Sequence, residues 1–288
     1  MSLVLPTRAR SSAALVLAGV LWGTGGLAGS LLARRAGLHP LAVADYRLLV
    51  GGAVATLLLK GRGLPRTPEA LRRTLVVGGL FALFQASYFA AVALSSVSVA
   101  TMTTIGAAPV VVTLLSVRKF RRWTVVSVAG TLAGLVLLQW SPGQAISFGG
   151  LGFALLAAAG FAALTLVTAK PVEGLDPLST TASGCLTGGL LLLPVASWSG
   201  MALPLHADVL ATVCYLGAVP TALAYAAYLR GLAGAHPVLG ALSAVLEPLT
   251  AAVLSAVLLG ERLSGTAWCG AAVLVAALAV GYWRPEPR

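Results

Sequence analysis

Ten apolar stretches, each close to the length that crosses a lipid bilayer, occupy almost all of this 288-residue sequence. A transmembrane helix needs about 20 apolar residues to span a hydrocarbon core of about 30 Å. Only 9% of the residues are charged, whereas soluble domains carry about 25%. The sequence therefore predicts an all-α membrane protein with ten transmembrane helices. The predicted helices are 12–32, 41–59, 74–94, 97–117, 123–140, 149–169, 178–198, 209–229, 238–259 and 266–283.

The third and fourth stretches are the least clearly separated, because only Ser95, Ser96 and Ser98 interrupt the apolar sequence between them. A single helix over residues 74–117 would be much longer than a bilayer is thick. We therefore predict a tight turn near Ser95.

The basic residues favour one orientation in the membrane. With both termini in the cytoplasm, fifteen of the 19 Lys and Arg residues lie on the cytoplasmic side. Arg34, Arg35 and Arg262 then lie outside, and Arg47 lies within a predicted helix. Cytoplasmic loops carry such an excess of positive charge, so both termini are predicted to be cytoplasmic. The strong preference for Arg over Lys suggests a GC-rich bacterial genome, so the expected location is a bacterial inner (plasma) membrane.

The net charge of +11 does not indicate a nucleic-acid partner, because the basic residues form short clusters between apolar stretches, as loops near anionic lipid do. The three cysteines have no neighbouring Cys or His, so neither a disulfide nor a metal site is expected. We expect membrane lipid and a small-molecule substrate as partners, and no cofactor.

The sequence repeats itself at an offset of about half its length. Residues 37–41 (GLHPL) return as residues 174–178 (GLDPL), and a glycine pair follows each at the same distance, Gly51-Gly52 and Gly188-Gly189. Pro109 in the fourth stretch matches Pro248 in the ninth, and Gly130 matches Gly270. The shared offset predicts two five-helix repeats, residues 1–145 and 146–288.

Five is an odd number, so the second repeat must enter the membrane inverted relative to the first. Inverted repeats are typical of secondary transporters, which bind substrate near the bilayer midplane between the halves. The repeat therefore predicts a transporter that works by alternating access through a central cavity.

Several short motifs resemble those of one transporter family. They are Leu21-Trp22-Gly23, Ala222-Leu223-Ala224-Tyr225, Leu246-Glu247-Pro248-Leu249 and Leu258-Leu259-Gly260-Glu261-Arg262-Leu263. With these motifs the sequence is similar to the EamA family of the drug/metabolite transporter superfamily, over about residues 14–140 and 150–283. The family pattern has an acidic residue after the fourth helix of each repeat, which is Glu261 in the second. In the first repeat a basic run at residues 118–122 stands at this place, so the sequence departs from the pattern there.

The resemblance implies ten helices in inverted repeats and export of amino acids or other small metabolites. Bacterial members include exporters of aromatic and other neutral amino acids, so such a substrate is the first expectation. A passive channel or a carrier of another solute, such as a drug or a sugar-type metabolite, is the alternative. An intramembrane enzyme is a more distant alternative, because no nucleophilic residue in the middle of a predicted helix has a nearby histidine.

Glu247 is the clearest candidate for a functional residue, because an ionisable group near the bilayer centre is costly, at about 2.5–3.5 kcal/mol. In a wet cavity it would bind a substrate amine or a proton, and protons are a candidate coupling ion. In a structural role it would bond to a neighbouring helix or to backbone at the kink made by Pro248. Both interpretations stay open.

Arg47 has two interpretations as well. It could bind a substrate carboxylate with two hydrogen bonds, or it could extend to the outer interface beside Asp45. Uncharged candidates for substrate binding follow from their depth and spacing, although packing is the simpler explanation of any single one of them. These candidates are Trp22, Thr24, Gln85, Tyr88, Thr101, Thr104, Tyr225 and Ser243.

Pro109, Pro220 and Pro248 interrupt the fourth, eighth and ninth stretches. Each removes a backbone hydrogen bond and permits bending, so each is either a hinge or a fixed kink that shapes the cavity. The oligomeric state, monomer or homodimer, is left open by the sequence.

Overall fold

Ten helical segments follow one another in the computed structural model, which describes residues 8–61, 67–117, 119, 121–139, 147–260 and 262–284. Nine of the segments in these ranges have the length and apolarity of membrane spans, and α5, with 17 residues, is shorter. They are α1 (Arg8–Ala36), α2 (Pro40–Leu58), α3 (Pro68–Leu94), α4 (Val97–Ser116), α5 (Arg122–Leu138), α6 (Phe148–Thr168), α7 (Pro177–Trp198), α8 (Ala207–Leu232), α9 (Pro237–Ser243 and Leu246–Leu259) and α10 (Gly265–Trp283).

The prediction of ten helices is confirmed, including the turn between α3 and α4. Helix α3 ends at Leu94, and the hydroxyl of Ser96 accepts a hydrogen bond from the Val99 amide as α4 begins. The serines that break the apolar sequence thus supply the acceptor that the first turn of a helix lacks.

Four helices begin with a polar residue followed by proline. His39, Thr67, Asp176 and His236 each accept a hydrogen bond from a backbone amide of the first turn. Proline suits this position, because its ring fixes a helical φ and the first turn needs no amide donor there. His39 and Asp176 are the equivalent residues of the repeated GLHPL and GLDPL motifs, so the repeated sequence starts α2 and α7 in the same way.

Equivalent helices of the two repeats make equivalent packing contacts. Helix α1 packs against α8 and α9 of the second repeat, and its counterpart α6 packs against α3 and α4 of the first. The pairs α2–α7 and α5–α10 each join a helix to its own counterpart. The repeats are therefore interlocked around a pseudo-two-fold axis, and with an odd number of helices each they are inverted.

The second glycine of each repeated pair, Gly52 or Gly189, lies at the α2–α7 crossing, whereas Gly51 faces α8 and Gly188 faces α3. A Cβ atom on Gly52 would lie 2.8 Å from the backbone nitrogen of Leu186, and a Cβ atom on Gly189 would lie 2.8 Å from Cγ of Leu49. Both contacts are closer than side-chain atoms tolerate, so only glycine allows the two helices to approach this far.

Both ends of the chain lie on the same side of the bundle, since ten is an even number of crossings. We call this side, where α1 begins and α10 ends, the terminal face, and the other side the far face. Glu261, Arg62, Arg66, Arg118 and the predicted repeat boundary at 145/146 lie outside the described residues.

Candidate functional site

A cavity lies between the two repeats at the middle of the bundle. Both repeats contribute to its wall, through α1 to α4 of the first and α6, α8 and α9 of the second. Its volume is about 40 Å³, which is room for about three water molecules. The lining residues are Trp22, Arg47, Phe84, Gln85, Tyr88, Thr104, Ile105, Phe161, Tyr225 and Glu247.

Arg47 reaches the cavity from α2 and is held by an irregular segment of α8. Its Nη2 donates to the carbonyl oxygen of Pro220 at 3.4 Å, and its Nε donates to Oγ1 of Thr221 at 3.3 Å. These contacts fix the cation at the wall of the cavity. Arg47 thus lies at the cavity wall, and its role in binding a substrate carboxylate stays a prediction.

The segment that holds Arg47 is a π-helical turn, Ala218–Leu223. Pro220 has no amide hydrogen, so the carbonyl of Leu216 loses its usual partner. The hydroxyl of Thr221 donates to that carbonyl at 2.8 Å. The proline and the threonine together widen the helix and turn a backbone oxygen towards Arg47.

Glu247 stands just after a break in α9. The break falls at residues 244 and 245, between the two segments of the helix. Pro248 cannot donate to the carbonyl of Ala244, and that carbonyl instead accepts the Glu247 amide at 3.0 Å. The side chain of Glu247 lines the cavity and is partly exposed there.

Helix α1 passes very close to α9 at this level. A Cβ atom on Gly23 would lie 2.7 Å from the carbonyl oxygen of Glu247, so glycine is needed for the approach. Trp22, the residue before Gly23 on α1, lines the same cavity as Glu247.

Arg47 and Glu247 carry opposite charges on the same cavity wall but do not form an ion pair. Among the described residues the one ion pair within 4.0 Å joins Arg35 to Asp208 at 3.1 Å. The cation of one repeat and the anion of the other are thus both available to a bound molecule.

Two of the lining residues carry a buried hydrogen-bond donor that has no partner among the described residues. They are Nε1 of Trp22 and Nε2 of Gln85. A buried donor without an acceptor costs about 1–3 kcal/mol. A ligand oxygen that reached either donor would recover this energy.

Aromatic rings close the cavity towards the terminal face. Trp22 lies 5.1 Å from Tyr225 and 5.0 Å from Tyr228, measured between ring centroids, and Phe161 lies 5.7 Å from Tyr228. The Tyr228 hydroxyl and Oγ1 of Thr165 are 2.6 Å apart and share a hydrogen bond. We call these five residues the aromatic seal.

The two segments of α9 pack mainly against different helices. Within α9, helix α4 packs against the Pro237–Ser243 segment, which belongs to the terminal half, although the main partner of α4 is α6. The Leu246–Leu259 segment packs mainly against α1. The fourth helices of the two repeats therefore converge near the terminal face and separate towards the far face.

Seven of the ten residues proposed from sequence for substrate binding line this cavity, and three do not. Thr101 shares a hydrogen bond with the hydroxyl of Tyr88 at 2.7 Å and so lies behind it. The hydroxyls of Thr24 and Ser243 donate to carbonyls of their own helices, those of Leu21 and Gly240. Their proposed role in binding stays a prediction.

Three apolar lining residues were not among the sequence candidates: Phe84, Ile105 and Phe161. Phe161 follows Trp22 by 139 positions, the same offset that joins Pro109 to Pro248. The repeat itself therefore carried the signal that would have found it.

The three prolines occupy different surroundings. Pro220 lies in the π-helical turn and Pro248 follows the break in α9, whereas α4 continues through Pro109 without interruption. Two of the three predicted hinge positions thus coincide with irregular helix. That they act as hinges remains a prediction.

Comparison with known proteins places this architecture among transporters. A sequence model of the EamA-like transporter family matches residues 10–140 and again residues 148–283. An uncharacterized transporter, YwfM of Bacillus subtilis (strain 168), is 29% identical over 92% of this chain and 91% of its own. Protein PecM of Dickeya dadantii (strain 3937) is 31% identical over 84% of this chain and 82% of its own.

A solved crystal structure shares the fold. It superposes with a TM-score of 0.80 at 23% sequence identity, covering 94% of this chain and 97% of the other. At that identity the similarity concerns the fold alone.

Proposed function

Because the chain belongs to the EamA-like transporter family and is a multi-pass membrane transporter of a small molecule, we propose that it exports neutral and aromatic amino acids. The observation that carries this proposal is the pair of unlike charges on one wall. Arg47 and Glu247 come from different repeats and are not bonded to each other. A free amino acid carries the complementary carboxylate and ammonium groups.

The carboxylate end would lie against Arg47, with the unpartnered donors of Trp22 and Gln85 supplying further hydrogen bonds. Guanidinium binds carboxylate with two parallel hydrogen bonds. The ammonium end would lie against Glu247. A neutral side chain would then meet the aromatic and apolar part of the wall, Phe84, Ile105, Phe161 and Tyr225.

The cavity must widen to hold such a substrate, because about 40 Å³ is far less than an amino acid occupies. We infer alternating access: the helices separate on one face while they close on the other. The aromatic seal and the convergence of α4 with α9 support a conformation that is closed at the terminal face. The predicted hinges at Pro220 and Pro248 adjoin the two charged residues, so bending there would move the site itself.

The direction of transport depends on orientation. We propose that the terminal face is cytoplasmic, in the inner membrane of a bacterium, because the basic residues are concentrated on it. The repeat boundary at 145/146, the oligomeric state and a coupling proton stay predictions.

Counterflow into proteoliposomes tests the proposal. Vesicles loaded with phenylalanine, tryptophan or leucine should take up the same labelled amino acid saturably and with a preference for the L form. Decarboxylated and deaminated analogues, phenethylamine and 3-phenylpropionate, should compete poorly, since each lacks one charge. Uptake that does not saturate would indicate a channel, and competition by both analogues as strong as that of phenylalanine would refute the proposed charge pair.

A further inference from the structure

Asp45 is a fully buried carboxyl that the proposed substrate site does not use. Its exposed fraction is 0%, counted against protein atoms alone, so other helices and not lipid cover it. Neither of its oxygens has a hydrogen-bond partner among the described residues. An ionised carboxylate in such a place is very costly, so these surroundings suit the neutral, protonated acid.

The position of Asp45 links it to the contact between the repeats. It precedes Leu49 by four residues and Gly52 by seven, so it lies on the stripe of α2 that packs against α7. It is the sixth residue of α2, about 7.5 Å along the helix from its start at the far face. The offset of 137 that relates α2 to α7 pairs Asp45 with Ala182, which has no charge.

Other ionisable groups in and around this part of the bundle do not bond to the carboxyl of Asp45. None of those on α2 itself or on the elements packed against it hydrogen-bonds to its carboxyl, and Arg35 and Asp208 are bonded to each other. These groups are Tyr46 and Arg47 on α2, Arg34 and Arg35 on α1, Tyr88 on α3, Cys185 on α7, and Asp208, Cys214, Tyr215 and Tyr225 on α8.

The neighbours of Asp45 in sequence connect it to the substrate site. Tyr46 donates from its hydroxyl to the carbonyl of Met201, in the connection between α7 and α8, at 2.5 Å. Arg47, two residues after Asp45, lines the cavity and is bonded to α8. A change in how α2 packs at Asp45 would therefore move the cation that we propose binds substrate.

We propose that Asp45 is a protonation site that couples the packing of α2 against α7 to the pH at the far face. Asp45 holds a proton while the interface is closed around it. It releases the proton to water when the far-face end of that interface opens, because only hydration stabilises the carboxylate. This inference rests on the proposed transport function, but its test has one arm that does not require transport.

The first arm measures exchange in proteoliposomes with the pH varied on one side at a time. Wild-type exchange should depend on pH at the far face, by up to about tenfold per pH unit, the limit for one proton. Asp45→Asn, which mimics the protonated form, should exchange at a pH-independent rate, and Asp45→Glu should keep the dependence. The pH dependence of exchange by Glu247→Gln is measured as well, so that any contribution of Glu247 can be distinguished from that of Asp45. A dependence on far-face pH that survives in Asp45→Asn would overturn the proposal.

The second arm follows thermal unfolding of purified protein in detergent. A wild-type fold that holds a proton which the unfolded chain releases should lose stability relative to Asp45→Asn as the pH rises from about 5 to about 8. If the difference in melting temperature between the wild type and Asp45→Asn stays constant over this pH range, protonation of Asp45 is refuted, whatever the transport assay shows. If Asp45→Asn does not fold, Asp45→Ala replaces it, since alanine stands at the equivalent position 182.

Discussion

The guanidinium of Arg47 is bonded to the carbonyl oxygen of Pro220, at 3.4 Å, and not to the carboxylate of Glu247. A backbone oxygen holds the cation in place without neutralising it. Arg47 therefore keeps its charge available to a ligand while its position is fixed by α8. This arrangement makes the binding of a carboxylate sensitive to the geometry of the π-helical turn.

We expect Arg47→Gln to weaken amino-acid binding by about 10- to 100-fold, because a hydrogen bond to a charged group is worth about 1.5–3 kcal/mol. Arg47→Lys should recover part of the loss, since it keeps the charge but not the two-pronged geometry. The measurement is the dissociation constant of L-phenylalanine by calorimetry in detergent. Arg34→Gln, at an exposed position, is the matched control and should bind as the wild type does. Equal affinity in all variants would show that Arg47 is structural.

Glu247→Gln should fold normally and lose about tenfold or more in affinity for amino acids, because the amide cannot neutralise the substrate ammonium. The same variant should bind 3-phenylpropionate as well as the wild type does, since that analogue has no ammonium group. Competition assays with both ligands give the comparison, and Glu69→Gln, an exposed change at the start of α3, is the control. An equal loss of affinity for both ligands would show that Glu247 has a structural role at the break in α9.

The helices and the repeat could be predicted from sequence because both depend on local features. Membrane thickness fixes the length of an apolar helix, and an X-Pro start or a glycine pair leaves a visible mark in each repeat. Whether Arg47 would lie at the cavity or at the outer interface could not be predicted from such local features. That depends on a carbonyl in α8, far away in sequence, which becomes available because Pro220 and Thr221 rearrange the helix.

For the uncharged residues as well, the sequence could not predict which side chains line the cavity. Tyr88 and Thr101 have the residue types and the depth of a binding site, yet only Tyr88 lines the cavity because Thr101 lies behind its hydroxyl. Ser243 is the counterpart of Thr104 at an offset of 139, but only Thr104 lines the cavity. These equivalent positions differ in local structure, because α9 is interrupted directly after Ser243 whereas α4 continues past Thr104.

Substitution of the glycines at the α2–α7 crossing should destabilise the protein. Gly52→Ala places a Cβ atom 2.8 Å from the backbone of Leu186, and overpacking of this kind costs about 1–3 kcal/mol. Gly79→Ala in α3 meets no atom within 4 Å and should be neutral or slightly stabilising, because alanine favours helix. Melting temperatures in one detergent compare the two variants. Similar values for Gly52→Ala and the wild type would contradict the tight crossing.

Orientation can be tested with single cysteines. In a protein whose three native cysteines are replaced by serine, His206→Cys at the far face should react with a membrane-impermeant maleimide added outside cells. Lys119→Cys at the terminal face should react only after the membrane is opened. Both side chains are exposed, so access and not burial decides the result. The reverse pattern would place the termini outside and invert the proposed direction of transport.

The aromatic seal should weaken when its hydrogen bond is removed. Tyr228→Phe keeps the ring but loses the bond to Thr165, whose hydroxyl still donates to the carbonyl of Phe161 at 2.9 Å. Loss of about 1 kcal/mol from the closed state should raise the population open at the terminal face about fivefold. The readout is the rate at which an impermeant thiol reagent, added at the terminal face, modifies Thr104→Cys on the cavity wall. Tyr215→Phe, at a partly exposed ring outside the seal, should leave that rate unchanged. If Tyr228→Phe also leaves it unchanged, the closure at the terminal face does not depend on the Tyr228–Thr165 contact.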